Sequence, residues 1–209
     1  MSLFDFDALA STPLVTQPFE HLVVPNFVTS EALARINADF PAIDQGGSYP
    51  LESLTYGAGF AEMANELLST DLRSAFADKF QMDLTGRPTT LTVRGMTRQK
   101  DGQVHTDGAS KLITILIYLN SGWGSDGGCL RLLRSQNIDD VITEIPPAEG
   151  TLVAFRCRDN AWHGHKPFVG ERRSLQLNWV MHEAAARNNV WRHRVSAFVK
   201  RVRSIAGVK

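Results

Sequence analysis

The chain has 209 residues, 43% of them hydrophobic, and its 22 Lys and Arg balance 22 Asp and Glu. That is the make-up of an ordinary soluble globular protein with enough chain to bury one core. No run of about 18 apolar residues offers a membrane span, and the opening "MSLFDFDALA" lacks the basic region of a secretory leader.

The charge is unevenly spread. Residues 187–209 hold seven Lys and Arg and no acid, which leaves 15 basic against 22 acidic residues elsewhere. The two cysteines, Cys129 and Cys157, sit in apolar strand-like runs and read as small buried hydrophobes rather than a disulfide. The expected location is a reducing cytoplasm.

Residues 1–17, with Pro13 inside and Pro18 just after, read as a loose lead-in. "FEHLVVPNFV" suggests a strand and a turn. "TSEALARINADFP" then has a Thr–Ser start, Glu31 early, and Ala32, Leu33, Ile36 and Phe40 at helical spacing, so an N-capped amphipathic helix is predicted, ended by Pro41. "GAGFAEMANELLSTDLRSAFADKFQMD" reads as one or two helices with a break at Ser69–Thr70–Asp71. The segment 18–86 is thus expected to be a helical support.

After residue 87 short β-rich runs alternate with turn residues: "TTLTVRGM", "QVHTD", "KLITILIYLN", "GCLRLL", "VITEIP", "TLVAFRC", "WHGHKPF" and "RRSLQLNWV". Eight short strands separated by turns indicate a sandwich or barrel over 87–181, not a parallel α/β sheet. Helix is expected again over 183–209. The fold class is mainly β with flanking helices, in one domain.

Residues two apart on a strand point to the same side, so His105 and Asp107 in "QVHTD" would project together. An imidazole nitrogen and a carboxylate oxygen make two adjacent corners of an octahedron. A third ligand from a distant strand, His163 or His165 in "AWHGHKPFVGERRSLQLNWV", would complete one face and leave three positions open. Two His and one carboxylate in that arrangement suit non-haem iron(II) that takes a chelating cosubstrate and dioxygen. Nine residues beyond His163 lies Arg172, able to hold a carboxylate through a bidentate pair.

The ordered string "HTD", "IYLN" with a nearby Trp, "GGCLRL", "GTLVAF" and "WHGHKPFVGERRSL" resembles the iron(II)- and 2-oxoglutarate-dependent oxygenases, in particular their prolyl-4-hydroxylase-like branch. The resemblance covers about residues 87–181 and implies a double-stranded β-helix, or jelly roll, with the metal inside. It implies His105, Asp107 and His163 as iron ligands, His163 being preferred to His165 because Pro167 follows it by four. It implies Arg172, rather than Arg173, as the group that binds the far carboxylate of 2-oxoglutarate, with Gly170 and Ser174 fitting the family pattern on either side. Tyr118 resembles a tyrosine that donates to the same carboxylate, and Gln176 would share the inward side.

The cofactor expected is Fe(II), with 2-oxoglutarate as cosubstrate, dioxygen as co-reactant and ascorbate as a reductant. Halogenating members of the superfamily carry a small residue where Asp107 stands, so the carboxylate favours hydroxylation. The substrate expected is a small molecule or glycan rather than a protein side chain, selected by residues 41–58 and "DGASK". The alternative is a non-catalytic binding or sensing module of the same fold.

In the tail, Trp191, Val195, Phe198, Val202 and Ile205 recur at helical spacing, with Arg and Lys on the other faces. Two uses stay open: packing on the β core, or docking on an anionic membrane surface or acidic partner. Nucleic acid is not expected, because one short helix without aromatic interleaving is a poor platform.

Overall fold

The computed structural model describes residues 2–187. The helices come first: α1 (Phe6–Ser11), α2 (Ser30–Ala38), α3 (Ala58–Leu67) and α4 (Thr70–Phe80). Each start that carries a side-chain cap uses a short oxygen-bearing residue. Asp5 accepts from the Ala8 amide at 2.7 Å, Thr29 from Ala32 at 3.3 Å, and Ser69 from Leu72 at 3.2 Å. The expected break between the second and third long helices therefore falls at Ser69.

The lead-in is not loose throughout. Asp5 caps α1, Leu9 is buried, and Phe4 stacks on Phe27 with ring centroids 4.8 Å apart. One buried leucine and one cap hold a helix too short for its periodicity to register in the sequence.

Strands β1 (His21–Val24) and β2 (Tyr49–Pro50) come from the segment read as helical support. They are followed by β3 (Thr89–Thr97), β4 (Lys111–Tyr118), β5 (Leu130–Leu133), β6 (Val141–Ile145), β7 (Leu152–Arg156), β8 (Trp162–His165) and β9 (Gly170–Val180). One antiparallel sheet has the order β1-β7-β4-β9-β3-β2 and the other β6-β5-β8. The double-stranded β-helix is thus present, and its large sheet reaches outside residues 87–181 at both edges.

Strand alternation gives the large sheet two unlike faces. Leu91 and Val93 of β3, Ile113, Ile115 and Ile117 of β4, and Leu175, Leu177 and Trp179 of β9 join the helices in the main core. Their neighbours Thr92 and Arg94, Thr114 and Tyr118, and Arg172, Ser174 and Gln176 line the interior between the sheets. Toward β1 and β7 that interior is closed by a second apolar cluster built from Phe19, Val153, Phe155, Leu130, Leu132 and Ile145. Toward β3 and β9 it stays polar and open.

"QVHTD" is not a regular strand. His105 forms an isolated antiparallel bridge with His163, and Asp107 lies in the loop beyond it. The segment still runs along β8: the His165 amide donates to the Gly102 carbonyl at 2.9 Å, and His105 and His163 exchange both backbone bonds. Residues 183–187 are helical, with Ala185 and Ala186 packed on Val180. The rest of the expected basic tail helix, 188–209, lies outside the described residues. Among the described residues no helix is long and apolar enough to cross a membrane, and both cysteines are free.

Candidate metal and cosubstrate site

His105, Asp107 and His163 converge, each offering one ligand atom, and these atoms all lie within 4.8 Å of one another. The two rings sit with centroids 4.3 Å apart. Each imidazole donates its Nδ1 proton to the carbonyl two residues before it: His105 to Gln103 at 2.8 Å and His163 to Ala161 at 3.0 Å. Carbonyls only accept, so these bonds fix the tautomer and leave Nε2 as the lone-pair nitrogen in both rings. Burial, partly opposed by the Asp107 charge, brings the His163 pKa down to about 4, so the ring is neutral, as a ligand must be.

Asp107 is held from two sides. Lys111 Nζ donates to Oδ1 at 2.6 Å, Thr114 Oγ1 donates a short hydrogen bond to Oδ2, and Cys157 Sγ lies 3.9 Å from Oδ2. Burial works to raise its pKa, but Lys111 and then His163 outweigh it, and the group stays below the usual carboxylate range. Behind Thr114 the bonding continues across the sheet. Asn178 Nδ2 donates to Thr114 Oγ1 at 2.6 Å, and Gln176 Nε2 donates to Asn178 Oδ1 at 3.1 Å. Burial, with Asp107 adding to it, pushes the Cys157 thiol up to about 12, so it is a neutral neighbour.

A cavity of about 130 Å³ joins this cluster to Arg172 and Tyr118. Both are buried, at 5% and 0% exposure. Arg172 Nε donates to the Gly128 carbonyl at 2.7 Å and Nη2 to the Tyr118 hydroxyl oxygen at 3.3 Å, with the guanidinium carbon 5.1 Å from the ring centroid. The tyrosine accepts in that bond, so its own proton is free to donate. Among the described residues no carboxylate pairs with Arg172. A buried cation without a counter-ion is costly, so the cavity asks for an anion.

Arg173 faces the other way. It pairs with Glu171 at 2.9 Å, bonds Asn37 Oδ1 at 3.0 Å and stacks over Phe40. The strand therefore turns Arg172 inward, the orientation expected. His165 lines the same cavity without joining the metal cluster. Burial and the Arg172 charge bring its pKa down to about 4.

Several residues around the site carry no motif. Arg94 lines the cavity and is tied to Ser48 Oγ at 3.0 Å and Asp101 at 3.6 Å. Its signal is the alternation Thr90, Thr92, Arg94 on one face of a strand. Lys111, Thr114 and Asn178 become visible only through pairing: Thr114 stands opposite Asn178 across β4 and β9.

A second cavity of about 490 Å³ adjoins the first, sharing Ser48, Thr92, His105, Asp107 and Gln176 with it. Residues from both segments expected to select substrate line it: Ser48 from one, and Gly108, Ser110 and Lys111 from the other.

The donor set fits non-haem iron, with two neutral imidazole nitrogens and a hydrogen-bonded carboxylate on one side of an open space. The orphaned Arg172 fits a dicarboxylate that reaches from that space.

Comparisons with known proteins agree. Residues 92–181 match the family model described as the 2OG-Fe(II) oxygenase superfamily. Among solved structures, the fold is similar to that of a Pseudomonas putida prolyl-4-hydroxylase (20% identity, TM-score 0.54, covering 85% of this chain and 92% of that one). It is also similar to the viral collagen prolyl hydroxylase of Paramecium Bursaria Chlorella virus-1 (17%, 0.55, 77% and 96%). A third is HygX from Streptomyces hygroscopicus, solved with nickel and 2-oxoglutarate bound (13%, 0.52, 78% and 83%). No curated protein sequence matches the chain.

Proposed function

We propose that this chain, an iron(II)- and 2-oxoglutarate-dependent oxygenase of the hydroxylase type by family match and fold, holds its iron with His105, Asp107 and His163. In the same reading Arg172 and Tyr118 hold the far carboxylate of 2-oxoglutarate, and the substrate is a small molecule or glycan. The observation that carries the assignment is the buried Arg172, without an acid among the described residues, across a 130 Å³ cavity from three convergent ligand atoms.

One dioxygen, one 2-oxoglutarate and one substrate C–H give succinate, carbon dioxide and C–OH. One oxygen atom enters succinate and the other enters the product. Iron(II), when bound, supplies the redox chemistry that couples the two halves.

The chain's own residues supply geometry and charge. The Gln103 and Ala161 carbonyls keep the two Nδ1 protons, so both Nε2 lone pairs face the site. Lys111 and Thr114 orient the Asp107 carboxylate. Arg172 offers a charge-assisted bond and Tyr118 a hydroxyl proton to the far carboxylate, which fixes the position of the keto acid end. Leu116 and Leu130 wall the cavity with apolar surface.

The test is succinate formation from 2-oxoglutarate under air with iron(II) and ascorbate. Turnover that a chelator abolishes and iron(II) restores is expected. Bound iron and 2-oxoglutarate without turnover for any substrate would retire catalysis in favour of a binding module.

A further inference from the structure

The 490 Å³ cavity beside the metal cluster lies within the range of about 300–1,000 Å³ usual for small-molecule sites. Its walls are unlike the usual apolar and aromatic lining. Five side chains bring hydroxyls: Ser48, Thr90, Thr92, Thr106 and Ser110. Gln176 and Asn178 bring amides, and among the described residues no branched aliphatic side chain and no aromatic ring other than the His105 imidazole lines the space.

Two of these hydroxyls are informative. Thr90 and Thr92 are only 5% and 8% exposed. Neither side chain hydrogen-bonds another described residue, and neither oxygen is among the sealed, unpartnered atoms, which are Thr97 Oγ1 and Trp179 Nε1. Both hydroxyls therefore keep open valences toward the cavity. An apolar occupant would strip them of water and return nothing, at about 1–3 kcal/mol for each group.

Charge narrows the choice further. Lys111, the one cation among the described residues on these walls, is already paired with Asp107 at 2.6 Å, so the described walls offer no spare charge for a strongly ionic ligand. Among the described residues the only ring on these walls is the His105 imidazole, which the proposed metal site takes up, so they give no platform for stacking a nucleobase or an aryl group.

From this lining we infer that the substrate is a neutral, polyhydroxylated small molecule, a sugar or cyclitol, whose hydroxyls bond Thr90, Thr92 and Ser110 while a C–H is presented beside His105 and Asp107. The inference rests on the proposed metal and cosubstrate assignment. The oxidation is the balanced reaction given above, with 2-oxoglutarate and dioxygen as the co-reactants.

The experiment has two arms. Anaerobic titration of iron(II) and then 2-oxoglutarate, without any substrate, tests the underlying assignment; failure to bind overturns that assignment. Succinate formation with myo-inositol, glucose or trehalose, compared with a proline-rich peptide and a phenylalkyl alcohol, tests the substrate class.

Stimulation above the substrate-free rate by at least one polyol is expected. Thr90→Val, which preserves shape, should raise that polyol's KM by about threefold to tenfold, the range of one neutral hydrogen bond, and Ser110→Ala is the second variant should the first fail to fold. The titration midpoint for 2-oxoglutarate should not move in either. Stimulation by the peptide or the phenylalkyl alcohol alone, no stimulation by any polyol despite normal cosubstrate binding, or an unchanged KM in both variants would overturn the substrate class.

Discussion

His105 and His163 exchange both backbone hydrogen bonds, amide to carbonyl at 3.0 Å in each direction. The two imidazoles of the proposed metal site are thus tied by the same pair of bonds that closes an antiparallel ladder. The ligand spacing is set by backbone and does not depend on packing of the rings alone.

Gly164 sits beside this bridge, and a Cβ there would lie 2.8 Å from the Gly102 carbonyl oxygen and 3.1 Å from Val104 Cα. Both are backbone atoms, so the 102–105 segment would have to move away from β8. Gly164→Ala is expected to lower stability by about 1–3 kcal/mol, as overpacking does, and to weaken iron binding because His105 leaves its position. Denaturant melts and iron(II) titration of the variant check both parts; unchanged iron affinity would show that the bridge does not set the ligand spacing.

The proposed ligands should separate from their neighbour His165 by mutation. His105→Ala, Asp107→Ala and His163→Ala should each lose iron binding while keeping the folded far-ultraviolet spectrum. His165→Ala should keep iron, since His165 lies outside the convergent cluster. Titration of the four variants with iron(II) decides the point, and retention of full affinity in any of the first three would remove that residue from the site.

Arg172 and Arg173 provide a contrast within one strand. Truncating a buried charged group that pairs with a ligand costs about 2–5 kcal/mol, roughly thirtyfold to several thousandfold in affinity. Arg172→Ala should therefore raise the 2-oxoglutarate Kd by that factor. Arg173→Ala removes a half-buried pair with Glu171 and a stack on Phe40, so it should cost some stability and leave the Kd near wild type. Calorimetric titration with 2-oxoglutarate would expose the opposite order.

Much of this site is legible in the sequence because strand alternation and a few motif residues specify it. His105, Asp107 and His163, which converge, and Tyr118 and Arg172, which line the adjoining cavity, are the residues that the family resemblance of the ordered string implies. The strand expected at "QVHTD" was only partly realised: its backbone pairs with β8 at His105 but leaves the ladder before Asp107, so the same-side placement comes from loop geometry. What supports Asp107 is not legible. Lys111, Thr114 and Asn178 matter because β4 and β9 pair in a register that sets Thr114 opposite Asn178, and register between distant strands is not written in either strand alone. The edge strand β1 falls within "FEHLVVPNFV", where a strand is expected, whereas β2 is hidden for a related reason, being two residues long.

The Thr114–Asn178 pair yields a prediction of its own. Partners that orient a metal-ligating carboxylate typically change metal affinity by about 10–100-fold when removed. Thr114→Val keeps the shape of the strand but deletes the donor to Asp107, and it strands Asn178 Nδ2 without its acceptor. Iron(II) affinity should fall by about that factor with kcat measured at saturating iron less affected. An equal loss of both, with normal iron binding, would point to a role in substrate contact instead.

The last prediction concerns the edge of the sheet and acid. Glu20 precedes β1, and Arg158 grips its carboxylate through two bonds of 2.8 Å, with Arg156 at 3.2 Å. The Arg158 bonds chiefly hold the Glu20 pKa down at about 2, against an ordinary value of 4.5. A carboxylate whose pKa is depressed by folding stabilises the folded state above its unfolded pKa and loses that contribution as pH falls through the folded one. The clamp should therefore act fully above about pH 4.5 and fade toward pH 2. Arg158 is 46% exposed and Arg156 33%, so solvent screens the pair and its worth is at most about 1 kcal/mol. Glu20→Gln should then be slightly less stable than wild type at pH 7, with the difference shrinking as pH is lowered from 4.5 toward 2. Urea melts of both proteins across that range measure it. Because other carboxylates also titrate there, the quantity that decides is the difference between the two proteins at each pH; a difference that grows on acidification would contradict the clamp.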